Sequence, residues 1–312
     1  MIKWKKKGCI YKLKSSNSWS TSHASVPCAI HLPEFNRIRI FFSCRDARNR
    51  SYPCYIDVND YSFDLVQDIQ TEPLFKLGEL GAFDDCGVMP TWLMPVNNGY
   101  YLYYIGWSIS TVPYQNAIGI AWSNDLKNFN KLFEGPVIGR STIDPYFVAS
   151  IAVLKQCDER YIGWYLSCKK WINIDDAYEP IYDLKIAHST NAIDWYPENN
   201  VAIPLKPKEG GVSRPTVLFD DEVYKMWYSY RGFMNYRSNI DKSYRIGYAE
   251  SHDGIHWDRK DNLCGIDISS SGWDSEMIEY PNVIKINEKL VMFYNGNGFG
   301  RSGIGVAVSD LS

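Results

Sequence analysis

Carboxylates stand ahead of apolar, strand-like runs at several points along this 312-residue chain: Asp84-Asp85 before Gly87–Pro90, Asp144 before Phe147–Leu154, and Glu276 before Pro281. Convergent carboxylates suit the cleavage of a glycosidic bond. One, kept protonated, gives a proton to the leaving oxygen, and another activates water or attacks the anomeric carbon. Asp85, Asp144 and Glu276 are therefore the candidate catalytic groups. Asp84-Asp85 is the most suggestive, since two adjacent like charges beside an apolar strand are costly without a role. The duller reading of each Asp is a turn cap ahead of a strand. Arginines give a second signal: Arg45, Arg214 and Arg231, with Arg237 and Arg245 just beyond. Their planar forks match carboxylates and phosphates, so together they imply an anionic ligand, unless they serve only to pair the acids. His23, Asp46, Asp84, Trp107, Glu179, Tyr230 and Asn295 complete the candidate substrate-binding set.

These residues need a scaffold that brings distant loops together, and an internal repeat supplies one. Apolar strands begin at Pro27, Pro90, Ile151, Pro215 and Pro281, spaced by about 60 residues. Each is followed by an aromatic-rich strand such as YYLYYIGW (100–107). A third strand then ends in Ala-x-Ser, marked by Ala121, Ala187, Ala249 and Ala307. Short strands punctuated by Gly, Asn and Asp turns predict an all-β chain. Four strands per repeat predict a five-bladed β-propeller. The opening I-K-W-K-K-K (2–7) reads as the continuation of I-H-W-D-R-K (255–260), which the last repeat lacks. The expectation is one propeller domain over 1–312, with blades starting near 23, 86, 147, 211 and 277. Residues 2–13 then supply the outer strand of the last blade and close the ring. The loops leading into the inner strands and those joining second to third strands share one face, and the candidate residues fall on them.

Composition narrows the ligand. The net charge is −3 and the pI about 6.0, so no global basic field points to nucleic acid. No stretch has the length of a membrane span and no apolar leader opens the chain, which predicts a cytoplasmic protein. Of the eight cysteines, Cys9, Cys28, Cys44, Cys54, Cys86, Cys157, Cys168 and Cys264, no two have C-x-x-C spacing. Free, buried thiols are expected. The five histidines show no metal-ligand spacing, and Gly298-x-Gly300-x-x-Gly303 leads into a strand rather than a helix, so neither a metal nor a nucleotide cofactor is expected. The aromatic share of 15% suits strand packing and also the stacking of sugar faces on rings.

The repeat, the acids ahead of the inner strands and the S-x-D-G-I-x-W turn (251–257) resemble the five-bladed glycosidase superfamily of arabinanases, xylosidases, invertases, levansucrases and β-mannoside phosphorylases. S-H-A-x-V-P (22–27), F-D-D-x-G-V-M-P (83–90), T-V-P-Y-x-N-A-I-G (111–119) and G-W-D-S-E-M (272–277) are similar to bacterial glycosyl hydrolases of polysaccharide gene clusters. The resemblance implies an enzyme acting on a glycosidic bond, with a carbohydrate or phosphosugar as ligand. Asp85 would match the second-blade aspartate and Asp144 the third-blade acid. The first-blade acid of arabinanases and invertases has no counterpart, because Ser22-His23-Ala24-Ser25 occupies its place. A phosphorylase needs no enzymic base there, since phosphate is the nucleophile. A glycosyltransferase of surface-polysaccharide synthesis, using a phosphate-activated donor, would ask for the same residues. A non-catalytic sugar-binding propeller is the remaining alternative.

Overall fold

The computed structural model describes residues 2–14, 17–156, 159–174 and 177–310, and its regular elements are strands with three single 3₁₀ turns. β1 (Lys5–Tyr11) is followed by β2 (Ser22–Leu32), β3 (Arg37–Arg45), β4 (Ser51–Asn59) and the short β5 (Leu65–Gln67), which pair in that order from β2. β6 (Gly87–Val96), β7 (Gly99–Ser108), β8 (Gln115–Ser123) and β9 (Asn130–Lys131) form a second antiparallel set. β10 (Val148–Lys155), β11 (Tyr161–Ile174), β12 (Ala177–Ser189) and β13 (Tyr196–Ile203) form a third. β14 (Glu209–Asp220), β15 (Val223–Gly232), β16 (Arg245–Ser251) and β17 (Asp258–Arg259) form a fourth. In the last, β18 (Glu279–Ile286), β19 (Lys289–Asn295) and β20 (Ile304–Asp310) are completed by β1, with Lys6 opposite Ala307. Single parallel bridges, Ser51 with Gly87 and Tyr182 with Gly211, join the first set to the second and the third to the fourth. Among the described residues, no strand ladder joins the second set to the third, the fourth to the last or the last to the first.

Side chains alternate across each strand, so every set offers an apolar face to both neighbours. Phe41 and Tyr55 meet Leu102 and Tyr104 between the first and second sets, and Tyr103 and Ile118 meet Ile151 and Tyr165 between the second and third. Trp164 and Leu184 meet Met226 and Tyr228, and Trp227 meets Met292 and Tyr294. The last set packs back on the first through Phe293 and Val306 against Ile40 and Phe42.

The turn that leaves the third strand is built by side chains. Ser251 Oγ accepts from the Gly254 N–H at 2.9 Å, and Asp253 Oδ1 accepts from Ile255 and His256 N–H at 2.8 Å each. Ser123 with Asp125 and Ser189 with Asn191 repeat the device. A short polar side chain thus replaces the ladder partner the turning backbone has lost.

The seven described cysteines are free thiols; Cys9 is exposed and Cys86 half-buried, so the expectation of buried thiols holds for the other five, while Cys157 lies outside the described residues. No helix is long and apolar enough to cross a membrane.

Candidate active site

The inner strands β2, β6, β10, β14 and β18 each break register near the middle of their first half, at Ser25/Cys28, Pro90/Trp92, Ala149/Ile151, Ser213/Thr216 and Glu279/Asn282. In four of them a proline explains the break, because it has no N–H to give to the ladder. Val26, Ser150, Arg214 and Tyr280 lie within the breaks and Met89 just ahead of one, and all five line one cavity of about 460 Å³. Val26, Ser150, Arg214 and Tyr280 hold φ of +60°, +24°, +50° and +54°. Such values are costly for any side chain, above all a β-branched one, and the residue before a proline is further restricted. Backbone strain of this kind gathers at functional sites. The freed N–H groups are satisfied from neighbouring sets: Val26 donates to Asn295 Oδ1 at 2.8 Å, Arg214 to Ser150 Oγ at 3.2 Å and Tyr280 to Ser229 Oγ at 2.8 Å. Asn295 therefore serves the backbone, giving its amide also to the Ala24 and Gly303 carbonyls, and is not free for a ligand.

Around this floor the wall is aromatic and basic. Trp107, Tyr114, Phe147, Tyr182, Tyr236, Tyr244 and Phe299 line it, with Arg45 and Arg237. Arg231 lies fully buried behind, stacked on Tyr236 and donating from Nε to Tyr182 Oη at 2.9 Å and from Nη2 to the Pro180 carbonyl at 2.6 Å. Arg237 is joined to Glu179. Arg214 is different. Its guanidinium is 1% exposed, its Nη2 donates to the Pro27 carbonyl at 2.6 Å, and its Nε has no partner among the described residues. Among the described residues no carboxylate forms a salt bridge with it, and complete burial lowers its pKa to about 10. Burial also lowers Arg45, with Arg301 adding to the effect and Tyr280 and Glu279 opposing it.

The carboxylates expected here sit elsewhere. Asp144 is fully buried and accepts from Tyr165 Oη at 2.8 Å, Ser167 Oγ at 2.5 Å and Lys185 Nζ at 3.2 Å. Asp84 is held likewise by Tyr104 Oη at 3.1 Å and Lys131 Nζ at 2.6 Å. Asp274, bound by Tyr294 Oη and Lys6 Nζ, shows the same arrangement in the last set. These are struts between the loop ahead of an inner strand and the second strand. Asp85 accepts from the Gly81 N–H, Asp46 folds its own turn with Arg48 and Arg50, and Glu276 is exposed. None of these carboxylates is among the residues lining the cavity, and Arg231 lies behind its wall. Tyr230 is not in the lining and has the Arg259 guanidinium over its ring. Of the residues singled out in the sequence, Arg45, Trp107, Arg214 and Arg237 meet in the cavity.

Two neighbours of the lining matter. His23 is 5% exposed, bonded to Ser22 Oγ, and lowered to about 4 by burial and by Arg45 and Arg301. Its unfolded value is about 6.5, so the unfolded chain takes up the proton first. Stability should be full above about pH 6.5, fall by up to about 3 kcal/mol as pH drops to about 4, and level off below. Denaturant titration across that window, with His23→Asn removing the dependence, checks this; an unchanged profile in the variant would contradict it. The other neighbour is Glu279, fully buried one residue before Tyr280, which the sequence reading passed over for Glu276.

The fold is similar to that of solved glycoside hydrolases. A solved glycoside hydrolase superposes with a TM-score of 0.75 at 14% identity, over 100% of this chain and 93% of that one. The β-1,2-mannobiose phosphorylase from Listeria innocua, solved with β-1,2-mannobiose, does so with a TM-score of 0.65 at 11% identity, over 93% and 90%. By sequence, the chain belongs to the family of the uncharacterized protein Rv1502 of Mycobacterium tuberculosis, with 34% identity over 310 residues and 98% of each chain covered. No family model matches.

Proposed function

We propose that the five strand sets are the blades of a single five-bladed propeller spanning 1–312, and that the protein is a carbohydrate-active enzyme cleaving a glycosidic bond by phosphorolysis. The return packing of the last set on the first supports the ring. The observation that carries the chemistry is Arg214: a buried guanidinium at the cavity floor without a carboxylate partner. A buried charge is expensive unless compensated, and a bound anion compensates it. Hydrolysis asks for two carboxylates at the bond, and the lining has none. Phosphorolysis asks for a phosphate site and one acid. Arg214 and Arg45 hold the phosphate, one of whose oxygens bonds to the anomeric carbon as the glycosidic C–O bond breaks. Trp107 and the tyrosines offer rings to the sugar. Incubation with a panel of disaccharides and oligosaccharides, with and without phosphate, tests this reading. A sugar phosphate formed only when phosphate is present is expected; release of free sugar independent of phosphate would contradict it.

A further inference from the structure

Both carboxyl oxygens of Glu279 are buried and accept no well-formed hydrogen bond among the described residues, while the Tyr280 side chain stands close enough to act on the carboxyl. An orphaned buried carboxyl costs stability and calls for an explanation. Its surroundings point to one. Glu279 occupies the position that Ala149 and Ser213 hold in other sets, and both of those line the cavity. The register break that follows interrupts the alternation of faces, so Glu279 and Tyr280 need not point to opposite sides of the sheet. Tyr280, at φ +54°, turns into the cavity. Arg45, also of the lining, acts electrostatically on the Glu279 carboxyl. Burial raises the Glu279 carboxyl well above the usual range, and Arg45 and then the Tyr280 side chain oppose this.

We propose that Glu279 and Tyr280 together form the acid of the site, the Tyr280 hydroxyl giving a proton to the leaving oxygen as it takes one from Glu279. This rests on reading the cavity as a site of glycosidic cleavage. As the anomeric C–O bond breaks, its electron pair stays on the leaving oxygen, which takes the Tyr280 proton. Tyr280 takes the Glu279 proton in the same step, so no tyrosinate forms. The negative charge ends on Glu279 beside Arg45, and Glu279 regains a proton from water once the products leave. Tyr280 is the catalytic residue of the pair, and Glu279 acts through it.

The test compares leaving groups. With phosphate present, Glu279→Gln and Tyr280→Phe should lower turnover of oligosaccharides, whose alcohol leaving group needs a proton, by about 10²–10⁴-fold. Turnover of dinitrophenyl glycosides, whose leaving group needs none, should fall less than about tenfold, and the double variant should be no worse than either single one. Equal losses on both substrates, or no loss on either, would overturn the pair. Infrared difference spectra between wild type and Glu279→Gln at neutral pH give a readout free of activity. A protonated carboxyl stretch present only in the wild type is expected, and shifted in Tyr280→Phe; its absence would overturn the pair whatever the turnover. Absence of any glycoside turnover by the wild type, with that band present, would instead count against the phosphorolysis reading.

Discussion

Replacing Arg214 with Gln should cost the protein its affinity for phosphate while leaving its thermal midpoint unchanged or raised. The guanidinium is desolvated, and its hydrogen bonds go to the Pro27 and Pro215 carbonyls rather than to a counter-charge. Charge-assisted hydrogen bonds to a buried cation are worth about 2–3 kcal/mol, which corresponds to a loss of roughly 30- to 150-fold. Removing an uncompensated buried charge relieves a desolvation penalty in the free protein, and functional sites often carry such a cost. Calorimetric titration of phosphate and a thermal melt read the two effects. If the variant binds phosphate normally, or is strongly destabilised, Arg214 is a structural strut.

Asp144→Ala should destabilise the fold by about 3–5 kcal/mol, because it strands the Lys185 ammonium, 8% exposed, along with Tyr165 and Ser167. Asp85→Asn and Glu276→Gln, at half-buried and exposed carboxylates, should each cost less than about 1 kcal/mol. Equilibrium unfolding in denaturant separates the three. An Asp144→Ala protein of native stability that had lost all turnover would return Asp144 to the catalytic role its place in the chain first suggested.

The strand order was open to inspection in the sequence, because proline, aromatic and Ala-x-Ser positions mark the strands of most repeats. The acids ahead of the inner strands follow a spacing that the sequence also carries. Asp84, Asp144 and Asp274 precede their tyrosine partners Tyr104, Tyr165 and Tyr294 by 20, 21 and 20 residues. In the first set the residue at the tyrosine position is Phe42, and the loop ahead of its inner strand has Ser22 and no Asp. Acid and hydroxyl are absent together in the first set, whereas in the fourth Tyr228 keeps its hydroxyl and bonds Asp261 instead. The cavity itself was harder to read. Its floor is set by Met89 and by bulges at Val26, Ser150, Arg214 and Tyr280, and where a proline in the sequence marks the break it does not say which side chain turns inward. Glu279 was invisible as a candidate because alternation of faces puts it opposite Tyr280, and only the bulge suspends that rule.

Titration of inorganic phosphate into the wild-type protein, at several salt concentrations and with neutral disaccharides as a control, tests the central claim most directly. The claim is that the cavity around Arg45 and Arg214 holds an anion. One phosphate per chain is expected, weakened by salt, competing with sulfate, and lost in Arg214→Gln. No phosphate binding, together with binding of neutral sugars that Arg214→Gln leaves intact, would contradict the account.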